Sequence, residues 1–198
     1  MNKKTYTAYI FNMIKNIIKY KKENLIFKVF ISFCVIIQFI YYLNHIYASD
    51  KNFIKINVPS AVVMDMESGR ILFEKNADEK RPMASLTKIM TAILTIEKCN
   101  LDELATVSES AVKSVPAGYT NAKLVPGEKV SVKDLLYALM LNSANEAANV
   151  LAEHISGSVD DFAIVMNKKA KALGCKNTNF LNANGMHNDN HYTTAEDL

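Results

Sequence analysis

The pattern of apolar and polar positions divides the chain into short strands followed mainly by helices. Two strand-like runs within residues 60–76 flank the turn-forming residues 67–69, which predicts a β-hairpin. Apolar residues at helical spacing predict a mostly buried helix over residues 85–98. These apolar residues are Leu86, Ile89, Met90, Ile93, Leu94 and Ile96. Residues 101–131 hold two prolines and two glycines, which indicates loops and short strands.

Polar residues at fixed offsets predict where the next helices begin. Ser131 with Asp134 resembles a capping box that opens a helix over residues 132–141. A polar break follows, and the alanine-rich stretch to residue 157 predicts another helix. Ser158 is placed to start one more helix.

Gly174 marks the predicted end of that helix, and residues 175–192 read as a polar loop with many asparagines. Thr193 with Glu196 then predicts a second capping box close to the last residue. A helix start so near the end, and too few strands to close a sheet, predict that the chain is the first part of a larger α/β domain.

The N-terminal quarter has the pattern of an export signal. Residues 29–43 are uncharged and mostly apolar, lysines precede them, and the small residues Ala48 and Ser49 follow. We therefore predict a signal peptide or membrane anchor over residues 1–49, with cleavage favoured, and export of residues 50–198.

Charge is distributed unevenly, so the net charge of +3 describes neither part of the chain. Residues 1–49 hold seven lysines and one acidic residue, whereas the remaining residues hold 16 basic and 19 acidic ones. Because the body has no stripe of Lys and Arg, nucleic acid is not expected as a partner.

Cysteine and histidine positions predict neither a disulfide framework nor a metal site. Cys34 lies in the apolar segment, and Cys99 and Cys175 are isolated from each other, a bridge between them being the less favoured alternative. His187 and His191 lack a third ligand nearby in sequence, so we expect them to be exposed loop histidines. No metal and no cofactor are predicted.

Ser85 and Lys88 lie three residues apart in the predicted helix, so their side chains share one face about 5–6 Å apart at Cβ. Burial disfavours the charged form of a lysine and lowers its pKa. A neutral amine beside a hydroxyl can act as a general base for a nucleophile. Taken alone, the pair fits a helix cap and a snorkelling lysine better.

Ser143 and Asn145 form a second candidate pair in the polar break between two helices. The hydroxyl could pass a proton, and the carboxamide offers a donor and an acceptor to a substrate amide. Ordinary helix capping is the alternative for both residues.

Together the two pairs form the Ser-x-x-Lys and Ser-x-Asn motifs of penicillin-binding proteins and class A β-lactamases. The segments "ASLTKIMTA", "LVPGEKVSVKDLLYALMLNSANEAANVLAEHISGS" and "NTNFLNANGMHNDNHYTTAEDL" resemble the serine-type D-alanyl-D-alanine carboxypeptidases. The resemblance covers most of residues 57–198. The triplet reads Ser-Ala-Asn where many relatives have Ser-Gly-Asn, and no Glu-x-x-Leu-Asn element follows, which counts against a class A β-lactamase.

The resemblance implies a role for each residue. Ser85 would be the nucleophile, Lys88 its general base, and Ser143 the group that helps return a proton to the departing D-alanine. Asn145 would hold the substrate amide, and the Ser85 backbone N–H would form half of the oxyanion hole.

The resemblance also implies a β-lactamase/transpeptidase-like α/β fold in incomplete form, with N-terminal strands and a helical subdomain but without the C-terminal sheet strands. The family's third motif, Lys-Thr-Gly, does not occur in the sequence. A β-lactamase-like serine hydrolase and a non-catalytic fragment are the alternative functions. The implied partners are pentapeptide stems of peptidoglycan, β-lactams as covalent inhibitors and, if the signal is retained, the bacterial membrane. The protein would act at the outer face of that membrane or in the cell wall space.

Overall fold

A computed structural model describes the backbone of residues 3–49 and 56–198. The chain divides into two compact units at residues 57 and 58. The first unit contains one long helix, α1 (Lys3–Ser49). No helix among the described residues combines the length and the hydropathy that crossing a membrane requires. The predicted domain boundary after residue 49 adjoins residues 50–55, which lie outside the described residues.

The second unit opens with the predicted β-hairpin. Strands β1 (Ala61–Met64) and β2 (Ile71–Lys75) pair antiparallel, with Ala61 opposite Lys75 and Val63 opposite Phe73. The Asp65 carboxylate accepts a hydrogen bond from the Ser68 amide at 2.9 Å and so fixes the turn. The predicted hairpin is thereby confirmed.

The predicted helix after Pro82 is also present. It starts as a 3-10 turn (Ala84–Leu86) and continues as α2 (Thr87–Lys98). Its buried residues include Lys88, Met90 and Leu94.

The stretch predicted as loops and short strands contains β3 (Leu104–Thr106) and β4 (Lys129–Ser131), which pair antiparallel. It also contains a short helix, α3 (Glu109–Lys113), which the sequence analysis missed. The Ser108 hydroxyl accepts from the Ala111 amide at 2.9 Å and caps this helix. Five residues are too few for helical periodicity to be recognised in a sequence.

The predicted caps open two of the remaining helices. Helix α4 (Val132–Leu141) is capped by Ser131, whose hydroxyl accepts from the Asp134 amide at 3.0 Å. Helix α6 (Val159–Ala172) is capped in the same way by Ser158, which accepts from the Asp161 amide at 3.0 Å. Helix α5 (Asn145–Ser156) lies between them in sequence and begins without a side-chain cap.

Helix α5 is the centre of the second unit, since α2, α3, α4, α6 and β3 all pack against it. Its first eight residues are buried, and three of them are alanines that let neighbouring helices approach closely. The largest apolar side chains buried within α5 and around it are Leu94, Leu135, Leu139, Leu151, Phe162 and Met166. The helices and two short antiparallel strand pairs match the predicted combination of N-terminal strands and a helical subdomain.

The predicted capping box of Thr193 and Glu196 is wrong. Thr193 instead pairs with Arg81, exchanging backbone hydrogen bonds of 2.8 and 3.0 Å. The Thr194 hydroxyl, one residue later, accepts from the Asp197 amide at 3.1 Å. The Thr193 hydroxyl lies 2.8 Å from the Thr178 hydroxyl, so both its side chain and its backbone are bonded to distant segments and Thr193 does not cap a helix.

Gly185 brings the asparagine-rich loop directly against the start of α2. Its φ is +87°, and a Cβ placed there would lie 1.9 Å from the Ala84 carbonyl oxygen. The loop is held by its own asparagines, since Asn182 Oδ1 accepts from the Gly185 amide at 2.7 Å. A glycine is therefore required where the loop meets the turn that carries Ser85.

Gly185→Ala should destabilise the protein far more than Gly127→Ala. Both glycines have a positive φ, but a Cβ at Gly127 meets nothing within 4 Å. The control should cost about 1–2 kcal/mol for the left-handed backbone, and Gly185→Ala about 1–3 kcal/mol more for the collision. Urea unfolding followed by circular dichroism measures both, and equal losses would contradict the close approach.

Candidate active site

The structure brings together all four residues that the two motifs single out. The Ser85 hydroxyl lies 3.4 Å from Lys88 Nζ and 3.2 Å from the Ser143 hydroxyl, which donates to it. Lys88 Nζ lies 2.9 Å from Asn145 Oδ1. The 3-10 turn, α2, the α4–α5 connection and the first residue of α5 each contribute one member.

Lys88 is buried, with 3% of its surface exposed. This desolvation lowers the pKa of Lys88 from 10.5 to about 8, and the negative charge of Glu146 opposes part of the shift. The direction is the one predicted from the sequence. With a pKa of about 8, roughly a tenth of Lys88 is neutral at pH 7, and the neutral form is the one that a general base requires.

The hydrogen bonds of Lys88 leave one direction for a proton. Two fixed acceptors, Asn145 Oδ1 at 2.9 Å and the Asn184 carbonyl oxygen at 2.6 Å, take N–H groups of the amine. A neutral amine has two N–H groups and one lone pair. Since both N–H groups are engaged, the lone pair is left for the remaining neighbour, the Ser85 hydroxyl.

Asn145 is oriented by the loop that precedes β4. Its Nδ2 donates to the Thr120 carbonyl at 2.9 Å, which places Oδ1 toward Lys88. The backbone amide of Asn145 also donates to the Thr120 carbonyl, at 3.1 Å. Both ends of this carboxamide contact the protein, so its geometry is that of a group that positions Lys88. Its predicted contact with a substrate amide stays a prediction.

Two residues next to the Ser85 hydroxyl have strained backbones. Ala84 has φ +46° and Ser143 has φ +53°, although neither is a glycine. Such conformations cost about 1–3 kcal/mol and tend to cluster at functional sites. The Ser143 carbonyl accepts from the Thr120 hydroxyl at 2.8 Å, which helps to hold the strained connection.

Asn184 was not predicted as a site residue, because it contributes a backbone carbonyl and any residue type could supply one. Its side chain donates to Asn149 Oδ1 at 3.1 Å, and Asn149 Nδ2 donates in turn to Ser114 Oγ at 3.0 Å and to the Ala111 carbonyl at 3.2 Å. The asparagine-rich composition of this loop was the one sequence feature that could have indicated an ordered loop, because asparagines stabilise tight turns.

Glu146 was missed as well. It is buried beneath the site, its Oε1 accepts from the Ala122 amide, and its Oε2 has no hydrogen-bond partner among the described residues.

The prediction that His191 is an exposed loop residue is wrong, whereas His187 is 68% exposed. His191 is 2% exposed, and its Nε2 lies 2.7 Å from the Thr87 hydroxyl. Its Nδ1 accepts from the Leu181 amide at 3.0 Å. The ring is therefore neutral, with its proton on Nε2, and it joins the loop to the first residue of α2.

A profile of the D-alanyl-D-alanine carboxypeptidases, peptidase family S11, matches residues 46–198. The chain belongs to this family. It is 40% identical over 144 residues to the D-alanyl-D-alanine carboxypeptidase DacF of Bacillus subtilis, covering 70% of this chain and 36% of DacF. It is 39% identical over 145 residues to DacC of Escherichia coli, covering 69% of this chain and 36% of DacC.

Solved structures agree with the predicted fold class. The crystal structure of DacD from Francisella tularensis superposes with a TM-score of 0.69 at 38% identity, covering 74% of this chain and 36% of that one. Penicillin binding protein 5 from Haemophilus influenzae has a TM-score of 0.69 at 37% identity, covering 73% and 43%. The β-lactamase/transpeptidase-like fold in incomplete form is thus confirmed.

His191 predicts a pH-dependent stability. Burial lowers the pKa of His191 below its ordinary value of 6.5, so the unfolded chain takes up this proton first as the pH falls. The stabilisation is complete above pH 6.5 and is lost as the pH falls toward the folded-state pKa. Free energies of unfolding from urea titrations at about pH 5 and about pH 7.5 measure this loss.

His191→Asn keeps an acceptor but cannot titrate, so this pH-dependent part should disappear. His187→Asn is the matched control at an exposed position and should behave as the parent chain does. Equal pH dependence in the parent and His191→Asn would contradict the assignment.

Proposed function

We propose that the chain carries the acylation centre of a serine-type D-Ala-D-Ala carboxypeptidase that acts on the pentapeptide stems of peptidoglycan. The observation that carries this proposal is the contact of the buried Lys88 amine with the Ser85 hydroxyl at 3.4 Å, while Asn145 Oδ1 and the Asn184 carbonyl take the other hydrogen bonds of the amine. The chain spans about a third of the length of the curated relatives it matches, 36% of both DacF and DacC. The activity of the whole protein is therefore part of the proposal.

Acylation begins when Ser85 Oγ attacks the carbonyl carbon between the two terminal D-alanines. Lys88 takes the hydroxyl proton as the bond forms, and its pKa of about 8 suits this transfer near neutral pH. The Ser85 amide lies in the turn that opens α2, where backbone N–H groups favour negative charge. It is assigned as one donor to the developing oxyanion.

The leaving D-alanine needs a proton on its amine. Ser143 is assigned to this step, since its hydroxyl contacts Ser85 Oγ at 3.2 Å. Ser85 Oγ is bonded to the acyl carbon at this stage, so the proton that Lys88 took from Ser85 reaches the amine by way of the Ser143 hydroxyl, without another titratable group. Water then hydrolyses the acyl-enzyme and releases the shortened stem, with Lys88 again taking a proton.

Asn145 is assigned first to hold Lys88 and second to contact the substrate amide. The second role requires its carboxamide to exchange one protein partner, either Lys88 or Thr120, for the substrate. β-Lactams would acylate Ser85 by the same route, since the strained lactam offers a carbonyl carbon in place of the peptide.

We further propose that residues 1–49 direct export, as a cleaved signal or a retained anchor, so that the site works in the extracytoplasmic space of a bacterium. Support comes from the seven lysines and the uncharged run at residues 29–43. The mass of the protein recovered from the producing bacterium, measured in the experiment below, distinguishes cleavage near Ala48 and Ser49 from retention.

Incubation with benzylpenicillin followed by intact and peptide mass spectrometry tests the function. We expect one lasting adduct on the peptide that contains Ser85, none in Ser85→Ala, and full labelling of the control Ser68→Ala, which alters an exposed turn. D-Alanine release from a peptide ending in D-Ala-D-Ala is the second readout. Rapid turnover of the penicillin would favour the β-lactamase alternative, and a folded chain that neither labels nor releases D-alanine would favour the non-catalytic one.

The rate of acylation should rise with pH and then level off near pH 8. Below the Lys88 pKa of about 8 only the neutral fraction of the amine can accept the Ser85 proton, and this fraction grows about tenfold per pH unit. Lys88→Ala should slow acylation by about 10²- to 10⁴-fold. The measurement is the rate of adduct formation as a function of pH, with circular dichroism as the check on folding. A rate that is flat across this range would exclude Lys88 as the base.

A further inference from the structure

Three potential metal ligands meet at the end of α2 that is remote from Ser85. One ligand atom each from Cys99, Glu103 and His154 can be chosen so that all three lie within 4.8 Å of one another. His154 Nε2 lies 3.1 Å from Glu103 Oε1. The 12 residues of α2 separate this cluster from Ser85 by about 18 Å, so it is not part of the candidate active site.

The three residues come from separate elements whose backbones are fixed. Cys99 ends α2, and its amide donates to the Thr95 carbonyl at 3.0 Å. The Glu103 carbonyl accepts from the Val132 amide at 2.9 Å, which ties the start of β3 to the start of α4. His154 lies in the last turn of α5. The cluster is therefore held by the fold itself and does not depend on flexible segments.

The donor types select one class of cation. A thiolate, an imidazole nitrogen and a carboxylate oxygen are the ligands of Zn²⁺, which binds them at about 2.0–2.3 Å. Calcium and magnesium prefer oxygen ligands, and this cluster offers a single carboxylate. The side chains of His154 and Glu103 are 27% and 40% exposed, so water can reach the fourth position of a tetrahedral ion.

The local charges also favour a cation. A divalent ion offsets the Glu103 charge and displaces the thiol proton, because a coordinating thiol is deprotonated outright. Binding thus releases one proton from Cys99 to solvent and requires the neutral form of His154 with Nε2 free.

We propose that Cys99 Sγ, a Glu103 carboxylate oxygen and His154 Nε2 bind one Zn²⁺ or a cation of similar softness, with water as the fourth ligand. The ion joins the end of α2 to α5 and β3. The bound ion would thereby hold the C-terminal end of α2, while Ser85 and Lys88 lie at the opposite end of the same helical segment.

Titration of the reduced, chelator-treated 198-residue chain with Co²⁺ tests the site, because Co²⁺ takes tetrahedral geometry and its thiolate charge-transfer absorption reports the Cys99 bond directly. We expect one equivalent to bind with this absorption, and Zn²⁺ to displace it. Cys99→Ser should lose the absorption. Loss of a residue that only supports a ligand typically weakens metal binding by roughly 10- to 100-fold. His154→Ala removes a ligand itself, so it should weaken Co²⁺ binding by more than this.

Cys175→Ser and His187→Gln are the matched controls, since they change the same residue types away from the cluster, and both should bind as the parent chain does. If Cys99→Ser does not fold, Glu103→Gln decides, because Glu103 is partly exposed and the substitution keeps its size. Zn²⁺ should raise the melting temperature of the parent chain but not that of Glu103→Gln. Absence of thiolate absorption in the parent chain, or its persistence in Cys99→Ser, would overturn the proposal.

Discussion

The burial of one amine organises the structure around the candidate site. Lys88 loses its hydration inside the second unit, and the cost is offset only because oxygens from other segments surround its Nζ. One acceptor is the first side chain of α5, and the other is a carbonyl of the loop near Gly185. Placing this lysine therefore requires α2, α5 and the loop to meet at one point.

The loop is held at that point by a continuous polar network. The Asn184 side chain donates a hydrogen bond to Asn149 on α5. Asn149 donates in turn to the Ala111 carbonyl within α3 and to the Ser114 hydroxyl just after α3. His191 adds a second attachment, since it bonds both Thr87 and the Leu181 amide. Because Asn149, Asn184, Thr87 and His191 are buried, loss of a partner would leave a costly unsatisfied atom in any of them, which makes the network a rigid support for the Asn184 carbonyl.

The two ends of α2 lie against two separate groups of polar side chains. Its first turn presents Ser85 and Lys88 to Ser143 and Asn145, whereas its last residue leads into Cys99. Since α5 packs along α2, the same pair of helices supplies Asn145 at one end and His154 at the other. A change in how α2 packs on α5 would thus be felt at both ends.

Local sequence determined the elements whose signals are local. The hairpin, α2 and the caps at Ser131 and Ser158 follow from short-range patterns and side chain-to-backbone bonds three residues apart. The two motifs also singled out Ser85, Lys88, Ser143 and Asn145 by residue type and spacing, and the structure brings these four side chains together.

Only the tertiary structure decided the features that depend on distant partners. Thr193 pairs with Arg81 and does not cap a helix. His191 is buried, and its two ring nitrogens contact the Thr87 hydroxyl and the Leu181 amide. The Asn184 carbonyl reaches Lys88 across 96 residues of sequence, and Cys99 finds His154 only through the packing of α2 and α5. A backbone carbonyl can belong to any residue type, so the sequence does not mark it as an acceptor. A cluster whose members come from separate elements has no fixed spacing in the sequence. Both features therefore become visible only when the folded chain brings the residues together.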